Sequence, residues 1–399
     1  MKILWLKTEL LHPVDKGGKI RSYHLLKQLK TNHQVTYLTL DDGAAPPDAV
    51  ESASEYCHDL IRVPHATREK FSAGFYAELA ANMASSLPYA IRKYKSNAMT
   101  KAIEEATETQ NFDVIICDFL APAVNLPLKL QTPVVLFQHN VEAEIWRRHF
   151  EVQTNAVKKR YLYWQWRKMQ KFERSACQRM DRVVAVSEAD SRMMERDYGL
   201  QKVYDIPTGV DVDFFKPNGA SNPRPNSLVF TGSMDWLPNE DAINYFTQQI
   251  FPLIRNSVPD VSFTVVGRNP SRKLQELGQR ESSITVTGRV DDVRPYMEKA
   301  AAYVVPLRIG GGTRLKIYEA LAMEKPTIST TVGAEGLDIN NGEHILLADT
   351  PADFANAVVR VFREPQFAQQ LGSQAAQTVR ERFSWNKVAS EFDAICQNI

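Results

Sequence analysis

The sequence has almost no net charge and very little cysteine, and both shortages exclude classes of protein. Of its 399 residues, 48 are Lys or Arg and 47 are Asp or Glu, so the formal net charge is +1. A non-specific nucleic-acid binder carries a basic excess that this chain lacks, so no nucleic-acid partner is expected. The four cysteines form no CxxC pair and are not spaced with histidines, which argues against a disulfide framework and a zinc site.

Long apolar runs and the common nucleotide-binding motifs are also missing. The apolar stretch Ile3–Leu6 ends at Lys7 and is too short for the core of a signal peptide. No run approaches the roughly 18 apolar residues of a spanning helix. We therefore expect a cytoplasmic protein, with peripheral attachment to the inner membrane face as a further expectation. Without GxxxxGK[ST] or GxGxxG, neither a P-loop nor a dinucleotide cofactor is favoured.

What the chain does have is enough length and apolar content for about two domains of α/β type. Hydrophobic residues make up 44% of the sequence, and short aliphatic runs alternate with longer stretches of helical periodicity. This alternation is typical of βαβ units on a parallel sheet, and it occurs twice. A proline-bearing stretch at 206–226 separates the two series, so we predict a first domain over 1–205 and a second beginning at 227.

Each domain is predicted to contain a sheet of about five to seven strands. The predicted strands of the first domain are Ile3–Leu6, Gln34–Leu40, Leu60–Val63, Val114–Cys117, Val134–Phe137 and Arg182–Val186. Those of the second are Ser227–Thr231, Val261–Val266, Ile284–Val286, Ala302–Val305, Pro326–Ser329 and Ile345–Leu347. Predicted helices include Lys19–Lys30, Asn239–Arg255, Ser271–Leu277, Val293–Ala300, Arg314–Met323 and Pro351–Phe362.

The strongest local signal is a glycine-rich turn between a strand and a helix of the second domain. Three glycines, Gly310, Gly311 and Gly312, precede Thr313, a suitable N-cap. Arg314 and Lys316 follow in the first helical turn, where the positive end of the helix dipole opposes a cation unless an anion is bound.

Helical spacing puts Lys316 and Glu319 on one face of this helix and Leu315, Tyr318 and Ala322 on another, which is suited to packing. This pattern predicts a phosphate site. The alternative is an ordinary capped helix with a surface Lys–Glu pair.

A second glycine pair, Gly17-Gly18, follows the first strand of the first domain. It lies between Asp15 and Lys19, ahead of a helix, in a position from which backbone amides reach a ligand. The alternative is a tight turn with no ligand.

Several stretches taken together resemble the group 1 (family 4) glycosyltransferases, and they cover nearly the whole chain. The stretches are Gly17-Gly18 with Arg21–His24, Ile206–Asp211, Gly310–Leu321 and Val332–Leu337. The resemblance implies a GT-B fold, with two Rossmann-like domains whose parallel sheets face each other across a cleft. It further implies that 1–205 binds the acceptor, that 227–380 binds a nucleotide-activated sugar, and that a last helix in 381–399 crosses back to the first domain.

The resemblance also implies roles for individual residues. Glu319 would bind the donor ribose, Lys316 and Arg314 the diphosphate, and the amides of 310–313 the sugar and phosphates. Gly17 and Gly18 would close on the donor phosphates, and His139 would lie near the transferred sugar.

Two positions depart from the family pattern. Gly311 stands where the first glutamate of the E-x7-E motif is usual, and 232–239 contains no Arg or Lys. We infer that Arg314, Lys316 and Arg308 supply the missing positive charge.

His139 has two readings. It follows the strand Val134–Phe137 and is suited to polarise a sugar hydroxyl or assist a proton transfer. Alternatively, it caps the helix that follows, through Asn140 and Glu142.

One segment of the first domain is strongly basic. From Arg147 to Arg182 there are eleven Arg or Lys and three acids, a local net of +8, interleaved with Tyr161, Tyr163, Trp164 and Trp166. Basic amphipathic helices with aromatics lie on anionic lipid, which would suit a lipid-linked acceptor. The alternative is a core helix whose solvated face is basic.

The sequence therefore predicts a glycosyltransferase that moves a hexose-type sugar from a nucleotide-diphosphate donor to a glycan or lipid-linked acceptor, in exopolysaccharide or cell-surface glycan synthesis. From the resemblance, the reaction is expected to retain anomeric configuration and to need no metal or other cofactor. Two alternatives are a sugar-nucleotide epimerase on the same fold and a non-catalytic protein that binds sugar nucleotides.

Overall fold

The computed structural model describes residues 1–69, 71–219, 223–309 and 315–399 and divides the chain into two compact units. The first unit contains Met1–Pro207 and Val388–Ile399, and the second contains Thr208–Lys387. Each unit is built around one parallel β-sheet with helices packed on it.

The first unit has a seven-stranded sheet in the order β3-β2-β1-β4-β5-β6-β7, and all the pairings are parallel. Its strands are β1 (Lys2–Lys7), β2 (Gln34–Asp41), β3 (Asp59–Pro64), β4 (Val114–Asp118), β5 (Val134–Phe137), β6 (Arg182–Ala185) and β7 (Tyr204–Asp205). Its helices are α1 (Gly17–Leu29), α2 (Ala73–Asn82), α3 (Tyr89–Arg92), α4 (Asn97–Thr109), α5 (Glu142–Val152), α6 (Ala156–Arg179) and α7 (Glu188–Tyr198), with short 3₁₀ segments at Pro47–Ala49, Glu51–Glu55 and Ala121–Asn125. The central strands read as unbroken apolar runs because helices cover both faces of a parallel sheet.

The second unit has a six-stranded parallel sheet in the order β10-β9-β8-β11-β12-β13. Its strands are β8 (Arg224–Thr231), β9 (Ser262–Val266), β10 (Ile284–Val286), β11 (Ala300–Val305), β12 (Thr327–Ser329) and β13 (Leu346–Leu347). Its helices are α8 (Leu237–Tyr245), α9 (Phe251–Ser257), α10 (Arg272–Arg280), α11 (Arg294–Lys299), α12 (Leu315–Ala322), α13 (Pro351–Arg363) and α14 (Pro365–Arg382), and α15 (Trp385–Gln397) ends the chain.

The α/β class and the twelve predicted strands are confirmed, with small shifts at their ends. The sequence missed β7, which has only two residues and no apolar run of its own. The predicted helix Asn239–Arg255 is wrong as a single element, because a π-helical turn at Phe246–Ile250 separates α8 from α9. Strand β8 begins at Arg224, within the predicted 206–226 stretch, and its pairing with β11 carries an irregularity between Ala300 and Ala302.

The last helix supplies apolar side chains to the core of the first unit. The Phe392 ring lies 6.0 Å from the Trp5 ring and 5.1 Å from the Phe137 ring, measured between centroids. The His33 Nε2 lies 2.9 Å from the Asp393 carboxylate. The carboxy-terminal residues therefore belong to the folding unit that also contains the amino terminus.

The state of the cysteines and the length of the apolar helices also bear on the sequence predictions. All four cysteines, Cys57, Cys117, Cys177 and Cys396, are buried free thiols. Within the described ranges, no helix is both long and apolar enough to cross a bilayer.

Candidate functional site

The predicted site residues of the second unit centre on Lys316, in the first described turn of α12. Its Nζ donates a hydrogen bond of 2.8 Å to the Asn239 Oδ1 on α8. The same ammonium lies 4.3 Å from the centroid of the Phe230 ring, which comes from β8. Two other elements therefore position the Lys316 side chain at the sheet.

The close approach of Lys316 depends on a glycine at the carboxyl end of β8. A Cβ atom at Gly232 would lie 2.7 Å from the Lys316 Nζ and 2.7 Å from the Asn239 Nδ2, closer than such atoms can pack. The absence of a side chain thus leaves room for the ammonium beside the 232–239 loop. The cation that the sequence does not provide within this loop comes to it from α12.

Glu319 lies one turn further along α12, on the same face as Lys316. Burial raises the pKa of the Glu319 carboxyl to about 7, and the nearby Lys316 charge opposes this shift. Leu315, Tyr318 and Ala322 are buried, whereas Lys316 and Glu319 are partly exposed. The prediction of one packing face and one polar face is therefore confirmed.

Arg308 follows β11 and already has a carboxylate partner. Its guanidinium donates to both oxygens of Asp241, at 2.6 and 3.1 Å, and lies 4.4 Å from the centroid of the Tyr245 ring. The hydrogen bonds to Asp241 raise the pKa of Arg308. A phosphate would have to share this cation with Asp241.

The remaining predicted donor-binding residues of this unit are Gly310, Gly311, Gly312, Thr313 and Arg314, and they lie outside the described residues.

Two residues in or next to the 232–239 loop were not predicted as site residues from the sequence. Asn239 holds the Lys316 ammonium, and nothing local marks an asparagine on α8 for this role. Arg268, two residues after β9, donates from its Nε to the Ser233 Oγ of the 232–239 loop at 2.8 Å. A cation just beyond a strand of a parallel sheet was a usable signal, because ligands bind at the carboxyl ends of such strands.

The first unit contains a buried polar cluster at Asp118, the last residue of β4. The Asp118 Oδ2 accepts hydrogen bonds from the Trp5 Nε1 (2.9 Å), the Lys7 Nζ (2.7 Å) and the Ser22 Oγ (2.6 Å). Its Oδ1 lies 2.8 Å from the His139 Nε2. Burial by itself would raise the pKa of Asp118, but Lys7 and His139 lower it below its ordinary value, so the carboxylate is ionised.

This cluster decides which nitrogen of His139 carries the proton. Burial lowers the pKa of His139 to about 3 despite the opposing effect of Asp118, so the imidazole is neutral near pH 7. Because an ionised carboxylate only accepts hydrogen bonds, we assign the proton to Nε2. The Nδ1 then has a lone pair and is buried without a hydrogen-bond partner among the described residues.

The alternative reading of His139 as a helix cap is wrong. The first amides of α5, those of Glu142 and Ala143, donate to the Glu173 carboxylate at 2.8 Å each. Glu173 also accepts from the Gln138 Nε2 (2.8 Å) and the Tyr198 hydroxyl (2.6 Å), so it holds the loop on both sides of His139.

Burial raises the pKa of Glu173 to about 7, although the Tyr198 hydroxyl and the Ala143 and Glu142 amides oppose the shift. No sequence pattern had marked Glu173, a glutamate on the buried face of α6.

The structure brings Gly18 close to His139 through Phe119. Gly17 and Gly18 begin α1, rather than preceding it as predicted. A Cβ at Gly18 would lie 2.5 Å from the Phe119 ring, which stacks on the His139 imidazole at 3.7 Å between centroids. Gly18 therefore allows α1 to pack against the ring that covers His139.

Among the described residues, no group of three or more His, Cys, Asp or Glu side chains could hold a metal ion.

Two family models match the chain. The model described as Glycosyltransferase Family 4 matches residues 16–214, and the model described as Glycosyl transferases group 1 matches residues 225–364.

Curated relatives of similar length agree with these matches. An uncharacterised 44.6 kDa protein in the cps region of Klebsiella pneumoniae is 18% identical, with 98% of each chain covered. An uncharacterised glycosyltransferase of Methanocaldococcus jannaschii is 23% identical over 97% of this chain and 95% of its own length.

Solved structures share the fold. A sucrose-phosphate synthase from Thermosynechococcus elongatus superposes with a TM-score of 0.72 at 17% identity, covering 100% of this chain and 98% of that one. Anabaena HepE in complex with UDP gives 0.69 at 14% identity, with both chains covered completely. From the two model matches and these folds, the chain belongs to the group 1, family 4 glycosyltransferases and has the GT-B fold.

Proposed function

We propose that this protein transfers a hexose-type sugar from a nucleoside-diphosphate donor to a glycan or lipid-linked acceptor in cell-surface glycan synthesis. The reaction is proposed to retain anomeric configuration and to need no metal ion. The observation that carries the proposal is the Lys316 ammonium, held by Asn239 beside Gly232 at the carboxyl end of β8.

Lys316 is suited to stabilise the leaving group. When the glycosidic bond to the diphosphate breaks, negative charge develops on the phosphate oxygens, and a preorganised cation lowers that barrier. The Asn239 hydrogen bond and the Phe230 ring fix the ammonium before the donor arrives. With this cation in place, charge stabilisation does not have to come from a metal. The Glu319 carboxylate, one turn away, is proposed to accept a hydrogen bond from the ribose.

His139 supplies the second group of the proposal. Its neutral imidazole donates from Nε2 to Asp118, so Nδ1 is oriented as an acceptor. Such a nitrogen is suited to accept a hydrogen bond from a sugar hydroxyl. Asp118 and Phe119 contact the ring, and Glu173 holds the loop around it, so we propose them as positioning residues.

The donor nucleotide is proposed from the structural neighbours. Anabaena HepE has been solved with UDP and also with UDP-glucose, the latter with a TM-score of 0.64 to this chain. UDP-glucose is therefore the first donor to test.

A transfer assay separates the proposal from its rivals. The protein is incubated with UDP-sugars and a lipid-linked or glycan acceptor, with and without EDTA, and the products are separated by chromatography. We expect an acceptor-dependent product whose anomeric proton shows the configuration of the donor by NMR, at the same rate in EDTA. Conversion of the UDP-sugar without acceptor would support an epimerase, and donor binding without turnover would support a binding protein. Either outcome would contradict the transferase.

We propose the basic segment 147–182 as a membrane contact, and its exposed side chains favour the turn between α5 and α6 as the contacting part. Arg147 pairs with Glu144 and Glu151, so its charge is already compensated. Met169 and Ala176 are buried, as the core-helix alternative expects. In contrast, four large apolar side chains around the α5–α6 turn and the first half of α6 are exposed: Val152 (77%), Val157 (81%), Tyr163 (40%) and Trp164 (45%). We propose that the end of the α5–α6 hairpin, formed by the turn between these helices and the first half of α6, inserts among anionic headgroups.

Vesicle flotation tests the membrane contact. Wild-type protein is expected to float with anionic vesicles, less in high salt, and not with zwitterionic ones. At about 1 kcal/mol per basic residue, the double substitution Lys158→Glu/Arg160→Glu should weaken binding by roughly tenfold or more. The control is Lys101→Glu/Lys129→Glu, with the same charge change at exposed positions of the same unit. Equal flotation of both double variants would contradict a membrane contact through the α5–α6 hairpin.

A further inference from the structure

A basic pocket in the first unit lies outside every site described above. It has a volume of about 250 Å³ and lies between the loop after β3 and the α2–α3 region. Its charged lining consists of Arg68, Arg92, Lys93 and Lys95 and one carboxylate, Glu78. Four cations facing a single anion leave a concave surface with a strong positive potential.

The single carboxylate of the lining pairs with one of the four cations, Arg68, which leaves an excess of three positive charges. The Glu78 Oε1 accepts from the Arg68 Nε at 3.2 Å, and its Oε2 accepts from the Tyr89 hydroxyl at 3.2 Å. Arg92 donates to a carbonyl, that of Ala81, at 3.3 Å. No ion pair joins Arg92, Lys93 or Lys95 to an acid in the described part of the chain.

The pocket wall that carries the cations is held by buried polar contacts. The His65 Nε2 lies 2.7 Å from the Lys93 carbonyl oxygen. The buried Asn125 side chain accepts from the Ser96 amide at 2.7 Å and donates to the Tyr94 carbonyl at 2.9 Å. The Tyr89 amide donates to the buried Gln165 side chain at 2.8 Å. These contacts order the backbone on both sides of the cations, which lowers the entropic cost of binding an anion there.

The position of the pocket in the sheet points to a substrate. His65 directly follows β3, so the pocket lies at the carboxyl edge of the seven-stranded sheet. Lys7 ends β1, Asp118 ends β4 and His139 follows β5 on that same edge. In open α/β sheets, ligands bind along this edge. The pocket therefore shares one ligand-binding edge with the His139 cluster.

We infer that this pocket binds a phosphate or diphosphate group carried by the acceptor. Ammonium groups and a guanidinium fork bind phosphate through charge-assisted hydrogen bonds, and a cavity of this size admits a compact anion. The inference rests on the proposed function in taking the ligand to be the acceptor. It adds that the acceptor is anionic and names the residues that recognise it.

Calorimetric titration with inorganic diphosphate tests the pocket. It is done in a Lys316→Ala background so that the second unit contributes little to binding. Two pocket variants are measured: the double variant Arg92→Glu/Lys95→Glu and the milder single variant Lys95→Glu, which changes an exposed position. The control is Lys101→Glu, which reverses the charge of an exposed lysine on α4. We expect the double variant to weaken diphosphate binding by roughly tenfold or more, Lys95→Glu to weaken it less, and Lys101→Glu to leave it unchanged. Equal affinity in all of these proteins would overturn the inference.

Competition experiments identify the source of the phosphate. A polyprenyl diphosphate in neutral micelles and a sugar phosphate are each titrated against bound diphosphate. Displacement by the first indicates a lipid-linked acceptor, and displacement by the second indicates a phosphorylated glycan. Displacement by neither would contradict an acceptor phosphate.

UDP affinity, measured in the same pocket variants with Lys316 intact, reports separately on the donor. If UDP binds normally while diphosphate binding ignores the pocket charges, the pocket fails and the donor site stands. If UDP does not bind but diphosphate binding follows the pocket charges, the donor assignment fails instead.

Discussion

Lys316→Ala is expected to weaken UDP binding by about 2–3 kcal/mol, or roughly 30- to 150-fold, because it removes a charge-assisted bond to the diphosphate. The effect is large because the ammonium is preorganised. Asn239 and Phe230 hold it beside Gly232, so little side-chain entropy remains to be lost when the nucleotide binds. Isothermal titration calorimetry with UDP measures the change directly.

The control for Lys316→Ala is Lys299→Ala, an exposed lysine at the end of α11 in the same unit. It removes one positive charge without touching the 232–239 loop, so UDP affinity should stay within about twofold of wild type at ordinary ionic strength. Glu319→Ala is expected to weaken UDP binding as well, through the ribose. Unchanged affinity in both Lys316→Ala and Glu319→Ala would overturn the donor assignment.

Asp118→Asn is expected to lower the free energy of unfolding by about 3–5 kcal/mol, because it leaves the Lys7 ammonium buried without its counter-ion. Lys7 has only 2% of its surface exposed, and Asp118 has none. The substitution keeps the size of the side chain but removes the charge that accepts from Lys7 and from the His139 Nε2. Urea unfolding followed by circular dichroism measures the loss.

The pH dependence of this variant distinguishes a stranded charge from a packing defect. Burial lowers the pKa of Lys7 in the native protein, and without Asp118 that pKa falls further. Between this lowered value and the ordinary 10.5, the unfolded chain binds more protons than the folded one. Stability of Asp118→Asn should therefore rise with pH over that window, relative to wild type. A deficit that does not change with pH would contradict the stranded-charge explanation.

Two further variants control for the amide substitution itself. Asp113→Asn makes the same change at an exposed aspartate just before β4, which accepts from the Lys2 amide at 2.6 Å. It should cost about 1 kcal/mol or less. Lys7→Met/Asp118→Asn removes both charges and should recover part of the lost stability. If the double variant is less stable than Asp118→Asn, the Lys7 charge is not the cause.

Local sequence patterns were sufficient to predict most strands and helices and the face of α12 that carries Lys316 and Glu319. The central strands of both sheets are mainly apolar, because a parallel sheet covered by helices needs no alternation. Lys316 and Glu319 stand three residues apart, a spacing that puts two side chains on one helical face. These features depend on residues within a few positions of each other, so the sequence alone predicted them.

The contacts that give these residues their chemistry join distant parts of the chain. Lys316 and Asn239 are 77 residues apart, Lys7 and Asp118 are 111 apart, and the cap of α5 comes from Glu173, 31 residues beyond its first amide. No periodicity encodes such pairings, because chain topology and packing bring them together. The sequence named Arg308, Arg314 and Lys316 as sources of the charge missing from 232–239, and only the fold showed that Asn239 holds the Lys316 ammonium beside this loop.

The distribution of charge also depends partly on the sequence alone and partly on the tertiary structure. The sequence alone determined that a chain of nearly balanced charge contains a basic segment of +8 between Arg147 and Arg182. Only the tertiary structure decided which charges are compensated, by placing Arg147 between two glutamates while leaving Trp164 exposed, and by gathering Arg68, Arg92, Lys93 and Lys95 around one pocket. The physical reason is that composition counts charges, whereas the electrostatic field at a site depends on their distances and burial, which packing sets.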